Sequence, residues 1–164
     1  MSKQNELTQL IPSLNKSKPS KVSVIGVGHP LFGDDYIGCW VTDRLIEKGI
    51  ESDNLQIISA ESKVENIIGP IIRFRPDHLL LLDAVSGIDH GEIVIIPWTE
   101  ELLLDTYLFS APLSKFCTFI HNETHCEITL IGIQIPFSDM SMEVSTPIKE
   151  AGLQLVEALQ KMLV

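Results

Sequence analysis

Apolar and polar positions along the chain alternate between two kinds of pattern. Unbroken or two-periodic apolar runs predict strands at Lys21–Val27, Leu55–Ala60, His78–Asp83, Glu92–Pro97 and Glu127–Ile135. Between them apolar residues recur every three or four positions, which predicts helices. Ile37, Trp40, Val41, Leu45 and Ile46 form one inward face, with Asp34 as N-cap and Gly49 as the stop. Val64, Ile67, Ile68, Ile71 and Ile72 form a second through Phe74, where Gly69 and Pro70 mark a kink or a break. A third helix opens at Ser110 with Pro112 and carries Phe116, Phe119 and Ile120. Thr146 caps the last, Pro147 takes its first position, and Ile148, Ala151, Leu155, Leu159 and Met162 face inward. Leu7, Leu10, Ile11 and Leu14 predict a short helix within Asn5–Leu14, followed by the polar connector Lys16–Lys21. Thr99–Phe109 has no clear period, His121–His125 reads as a turn, and Phe137–Val144 reads as a loop.

Strands alternate with helices, with no internal repeat and no dividing linker. That order predicts an α/β fold: a three-layer α/β/α sandwich on a mostly parallel sheet. Residues 1–164 are expected as one domain, with 1–20 as N-terminal helix and connector. His78–Asp83, apolar on both faces, suits a central parallel strand; Glu92–Pro97 suits an antiparallel edge.

Composition narrows the classes of partner. The chain is 45% hydrophobic and 21% charged, as in an ordinary soluble domain. A formal net charge of −10 argues against nucleic acid and anionic membranes as partners. Cys39, Cys117 and Cys126 are odd in number, widely spaced and without a CxxC, so no disulfide framework is expected and the cytoplasm is the expected compartment. The polar N-terminal stretch has no apolar core of a signal peptide, and the longest apolar runs are too short to span a bilayer. Trp40, Trp98 and the cysteines read as packing residues.

The candidate chemistry sits after the first and third strands. Asp35 and Asp83 stand where strands give way to loops, and neighbouring strand ends in a doubly wound sheet can bring such groups together. Converging carboxylates suit a hard or borderline divalent metal, or one of them a general base. The plainer alternative makes Asp34 a cap, Asp35 solvated and Asp83 a strand terminus. Gly26 and Gly28 do not make a dinucleotide fingerprint. The third glycine, Gly33, falls two residues late, and two acids stand where pyrophosphate would meet the helix. His121-Asn122-Glu123-Thr124-His125-Cys126 is rich in potential ligands but is not HExxH; a polar surface loop is the main reading and zinc the lesser one.

Gly26-Val27-Gly28-His29-Pro30-Leu31-Phe32-Gly33-Asp34-Asp35-Tyr36-Ile37-Gly38 resembles the G-x-G-N-x-x-x-G-D-D-x-x-G signature of the NiFe-hydrogenase maturation endopeptidases. The resemblance continues through Glu65, Phe74-Arg75-Pro76-Asp77, Leu82-Asp83-Ala84, Gly91-Glu92, Pro112-Leu113 and Leu130–Gln134 into the last helix. It implies a phosphorylase/hydrolase-like fold and an endopeptidase that removes a C-terminal extension from a NiFe-hydrogenase large-subunit precursor after nickel insertion. Nickel would come with the precursor, with no tightly bound cofactor of the enzyme's own. Asp35 and Asp83 match two of the family's three metal-contacting positions, and Asp34 and Glu65 are carried over as substrate-binding residues. The third position, a histidine in the family, is Phe109 here, which cannot ligate a metal. His29 replaces the signature asparagine on the Asp35 loop and is the candidate substitute imidazole; His121 and His125 would need their turn to fold over the site. The alternative implied by Phe109 is a non-catalytic, precursor-binding or chaperone-like pseudo-peptidase.

Overall fold

The computed structural model describes residues 20–50, 52–101, 111–136 and 143–164. In chain order these contain β1 (Val22–Val27), α1 (Ile37–Glu47), β2 (Leu55–Glu61), α2 (Ile68–Phe74), β3 (His78–Ser86), β4 (Ile93–Pro97), α3 (Ala111–Thr124), β5 (Glu127–Ile135) and α4 (Thr146–Leu163). The expected helix in Asn5–Leu14, residue Phe109, and most of Thr99–Phe109 and Phe137–Val144 lie outside the described residues.

The sheet order is β2-β1-β3-β5-β4. β2, β1, β3 and β5 are parallel, and β4 runs antiparallel along β5 at the edge. The expected α/β/α architecture is what forms. One face of the sheet packs Val24, Leu80, Leu82 and Ile131 against Trp40 and Leu45 of α1 and Leu155 and Leu159 of α4. The other packs Ile25, Leu79, Leu81 and Val85 against Ile71 of α2 and Phe116 and Ile120 of α3. Alternate residues of β3 thus enter opposite layers, which is why its sequence is apolar without a break. No helix among the described residues is long and apolar enough to cross a membrane.

Several local expectations change. β3 continues three residues past Asp83 because β5 pairs with it from His78↔Glu127 to Ser86↔Ile135, whereas β1 stops at Gly26↔Leu82. Asp83 is therefore inside a strand, one residue beyond the last pairing with β1. Asp34 does not cap a helix: Gly33–Tyr36 is a 3-10 turn, and α1 begins after it. Ile46 of α1 is half exposed rather than inward. The expected Val64–Phe74 helix is divided, a 3-10 turn over Val64–Ile67 giving way to α2 just before Gly69 and Pro70, and Pro70 takes the third position of α2, where a backbone N–H has no helical partner. Ser145 is the N-cap of α4, with Thr146 and Pro147 already inside it. The expected turn at His121 is instead the last turn of α3, which ends at His125 in a left-handed conformation.

Candidate functional site

The chain leaves β1 at the carboxyl end of the sheet and crosses the sheet edge before entering α1. β2 lies to one side of β1 and β3 to the other, so the strand order reverses here and leaves a crevice between β1 and β3. Two glycines let the backbone close over it. A Cβ at Gly38 would collide with the carbonyl oxygens of Leu82 and Val27, so only glycine lets the start of α1 sit this close to both strand ends. A Cβ at Gly28 would likewise strike the backbone of Asp35 and Tyr36. Gly38 thus brings α1 against the ends of β1 and β3, and Gly28 lets the chain leaving β1 lie against the Asp35–Tyr36 backbone.

Asp35 is partly buried, and its Oδ2 accepts the backbone N–H of His29 at 3.0 Å. Asp83 Oδ1 accepts the N–H of the next residue, Ala84, at 2.8 Å. Burial, and then the negative charge of Asp35, hold the Asp83 carboxyl well above the usual carboxylate range, against the lowering pull of the Ala84 N–H. The two acids, 48 residues apart in sequence, thus lie close enough to repel one another. Two carboxylates with so few N–H partners present oxygen lone pairs to a cation, which would also relieve their repulsion.

Asp34 is turned inward. Its Oδ1 accepts the backbone N–H of Ser145 at 2.6 Å, and its Oδ2 accepts the Ser145 hydroxyl at 3.0 Å. One acid of the adjacent pair thereby anchors the loop to the start of α4, which leaves the other at the crevice. No sequence signal links Asp34 to Ser145 across 111 positions.

His29 stands on the same loop, four residues before Gly33. Its Nδ1 accepts the N–H of Leu31 at 3.1 Å, and its ring packs edge-on against Phe32, 4.5 Å between centroids. Among the described residues, no three His, Cys, Asp or Glu side chains gather as a metal-holding group. What His29 brings to the Asp35 carboxylate is its backbone N–H. His121 and His125 lie at the end of α3 that leads into the start of β5, which is the opposite end of the sheet from Asp83. His121 Nδ1 donates to the Cys126 carbonyl at 2.9 Å, so these residues do not fold over the site.

Nearby nucleophile types are silenced by burial. The Cys39 thiol is pushed up to about 12, chiefly by burial, and points at the Gly28 carbonyl oxygen 3.8 Å away. The Tyr36 hydroxyl is raised by burial and donates to Asp43 Oδ2 at 2.8 Å. Glu65 is exposed in a 3-10 turn, Val64–Ile67, that follows β2, on the rim of an apolar groove rather than among the β1–β3 carboxylates. That groove was not foreseen, because its two walls come from segments about fifty residues apart.

A family model described as hydrogenase maturation protease (HycI) matches residues 39–162. A Methanocaldococcus jannaschii protein described as a candidate hydrogenase maturation protease is 28% identical over 146 residues, covering 85% of this chain and 86% of its own length. Among solved structures, the NiFe-hydrogenase maturation protease HycI from Thermococcus kodakarensis superposes with a TM-score of 0.80 at 26% identity, covering 94% of this chain and 98% of that one. The solution structure of the endopeptidase HycI from Escherichia coli superposes with a TM-score of 0.72 at 24% identity, over 84% of this chain and 87% of that one, a likeness of fold.

Proposed function

The chain belongs to the hydrogenase maturation protease family, and we propose that it is the endopeptidase that removes the C-terminal extension of a NiFe-hydrogenase large-subunit precursor once nickel is in place. The reading is supported by one arrangement: β1 and β3 are neighbouring parallel strands, Asp35 stands on the turn that follows β1, Asp83 stands just beyond the last β1–β3 pair, and the charge of Asp35 raises the Asp83 carboxyl. Proteins tolerate such placements where a site requires them. In this reading the carboxylates touch the nickel centre that the precursor brings, and so seat the adjoining peptide bond. The client's metal polarises the scissile carbonyl, and a water held by a carboxylate adds to it. The C–N bond then breaks, and the released amine takes up the proton. The enzyme contributes acids and orientation; the cation is cargo of the client.

The test is to incubate the protein with nickel-loaded precursor and follow loss of the C-terminal peptide by mass. Cleavage that requires nickel in the precursor is the expected result; no cleavage of a verified nickel-loaded precursor overturns the proposal. The second reading, a precursor-binding pseudo-peptidase, is favoured by Phe109, where the family places a histidine. A stable complex without cleavage would establish it. A Phe109→His variant that gains cleavage would identify the lost imidazole as the cause.

A further inference from the structure

The unforeseen groove lies on the layer of α2 and α3. One wall is Val64 and Ile68, the other Phe116 and Phe119, and together they enclose about 560 Å³, within the range of pockets that hold organic ligands. Its position follows from the topology. The Val64–Ile67 turn follows β2 at the carboxyl end of the sheet, and α3 runs from that end down to the start of β5. In β3, Leu79, Leu81 and Val85 face this same layer, so by alternation the Asp83 side chain does too. The groove and Asp83 therefore share one face and one end of the sheet.

The lining is almost wholly apolar, and Phe119 is left 45% exposed on a helix whose other large apolar residues are buried. Two charges stand on opposite walls, Glu65 and Lys115, and both are exposed. Among the described residues neither is held in an ion pair. An extended polypeptide matches this set: apolar side chains for the floor, N–H groups for a carboxylate, and carbonyls for an ammonium.

We propose that this groove is the specificity subsite for an apolar run of the precursor polypeptide next to the bond that is cut. The inference rests on the processing role given above, and names what part of the client that role recognises. The occupant is the client's own chain, because the groove lies on the same face and at the same end of the sheet as Asp83, and its rim carries charges of both signs, Glu65 and Lys115, that complement a peptide backbone.

The experiment compares wild type with Phe119→Glu, and uses Leu153→Glu as a control. Leu153 is an equally exposed apolar residue, 48%, on α4 in the opposite layer. Each protein is assayed for cleavage of nickel-loaded precursor and, by calorimetry, for binding it. In Phe119→Glu, KM and Kd should both rise about tenfold or more, the loss falling on KM rather than kcat, with the melting temperature retained. Leu153→Glu should behave as wild type. Wild-type KM and Kd in Phe119→Glu would overturn the subsite while leaving the peptidase reading intact, and so would an equal loss in Leu153→Glu. If wild type binds but does not cleave, the processing role fails, and Kd alone judges the groove: a weaker Kd in Phe119→Glu keeps it as a client-binding surface. If wild type neither binds nor cleaves, both fall. If Phe119→Glu splits a homodimer at unchanged KM, the groove is a contact between copies and the subsite is overturned.

Discussion

The two ends of β3 handle their polar groups in opposite ways. At the amino end, His78 is buried with its Nε2 2.7 Å from the Thr129 hydroxyl and its Nδ1 3.6 Å from a Glu127 carboxylate oxygen. Around it Asp77 takes the Lys21 backbone N–H at 2.8 Å, so the strand starts are tied together. At the carboxyl end, Asp83 has the N–H of its own neighbour and faces the charge of Asp35. One end spends its polar groups on stability. The other accepts a cost that stability alone does not repay, and such a cost points to function.

The sharpest way to break that contrast is to remove the charge at the carboxyl end. Asp83→Asn should lower precursor cleavage by about 100-fold or more, since it deletes an anionic contact to the reacting centre. The same variant should melt about 2–4 °C higher, because a repelled, half-buried carboxyl is replaced by an uncharged amide. Parallel losses of activity and stability would mean that Asp83 is structural. Next in size, Gly38→Ala should destabilise by about 1–3 kcal/mol in denaturant titration, as its methyl group pushes α1 off the Val27 and Leu82 carbonyls. If it has no effect, the crevice is not held shut in the way described.

Changes at the amino end should cost stability without touching chemistry. Thr129→Val deletes the 2.7 Å partner of His78 and should cost about 1–2 kcal/mol, with cleavage kinetics unchanged. The smallest effect is in pH. Burial lowers the His78 pKa below its ordinary 6.5, with Glu127 partly opposing. The unfolded chain therefore takes up the proton first, and stability falls as pH drops through 6.5. The slope is at most about 1.4 kcal/mol per pH unit, the limit for one proton. His78→Gln should flatten that dependence between pH 7.5 and 5.5; an unchanged slope would assign it to other groups.

Much of this contrast was legible in the order of residues. The unbroken apolar run from Leu79 to Leu82 announced a strand covered on both faces, and it lies at the centre of the sheet. The antiparallel edge at β4 and the free, buried cysteines were equally readable. Asp35 was identifiable as an acid on the loop after β1, and Asp83 as an acid near the carboxyl end of the apolar run of β3, though not as a residue still within the strand. What the pattern misjudged were the helix starts and the end of β3. Local apolar periodicity does not show that a 3-10 turn precedes α1, or that pairing with β5 carries β3 three residues further.

Local sequence, then, determined the elements, their order and the two acids, because backbone preference and hydrophobic period act over a few residues. Only the tertiary structure decided which acid faces the crevice. The Ser145 hydrogen bonds that take Asp34 inward come from 111 positions away. The groove between α2 and α3 is likewise a product of packing: its walls exist only once two distant helices lie on the same face of one sheet.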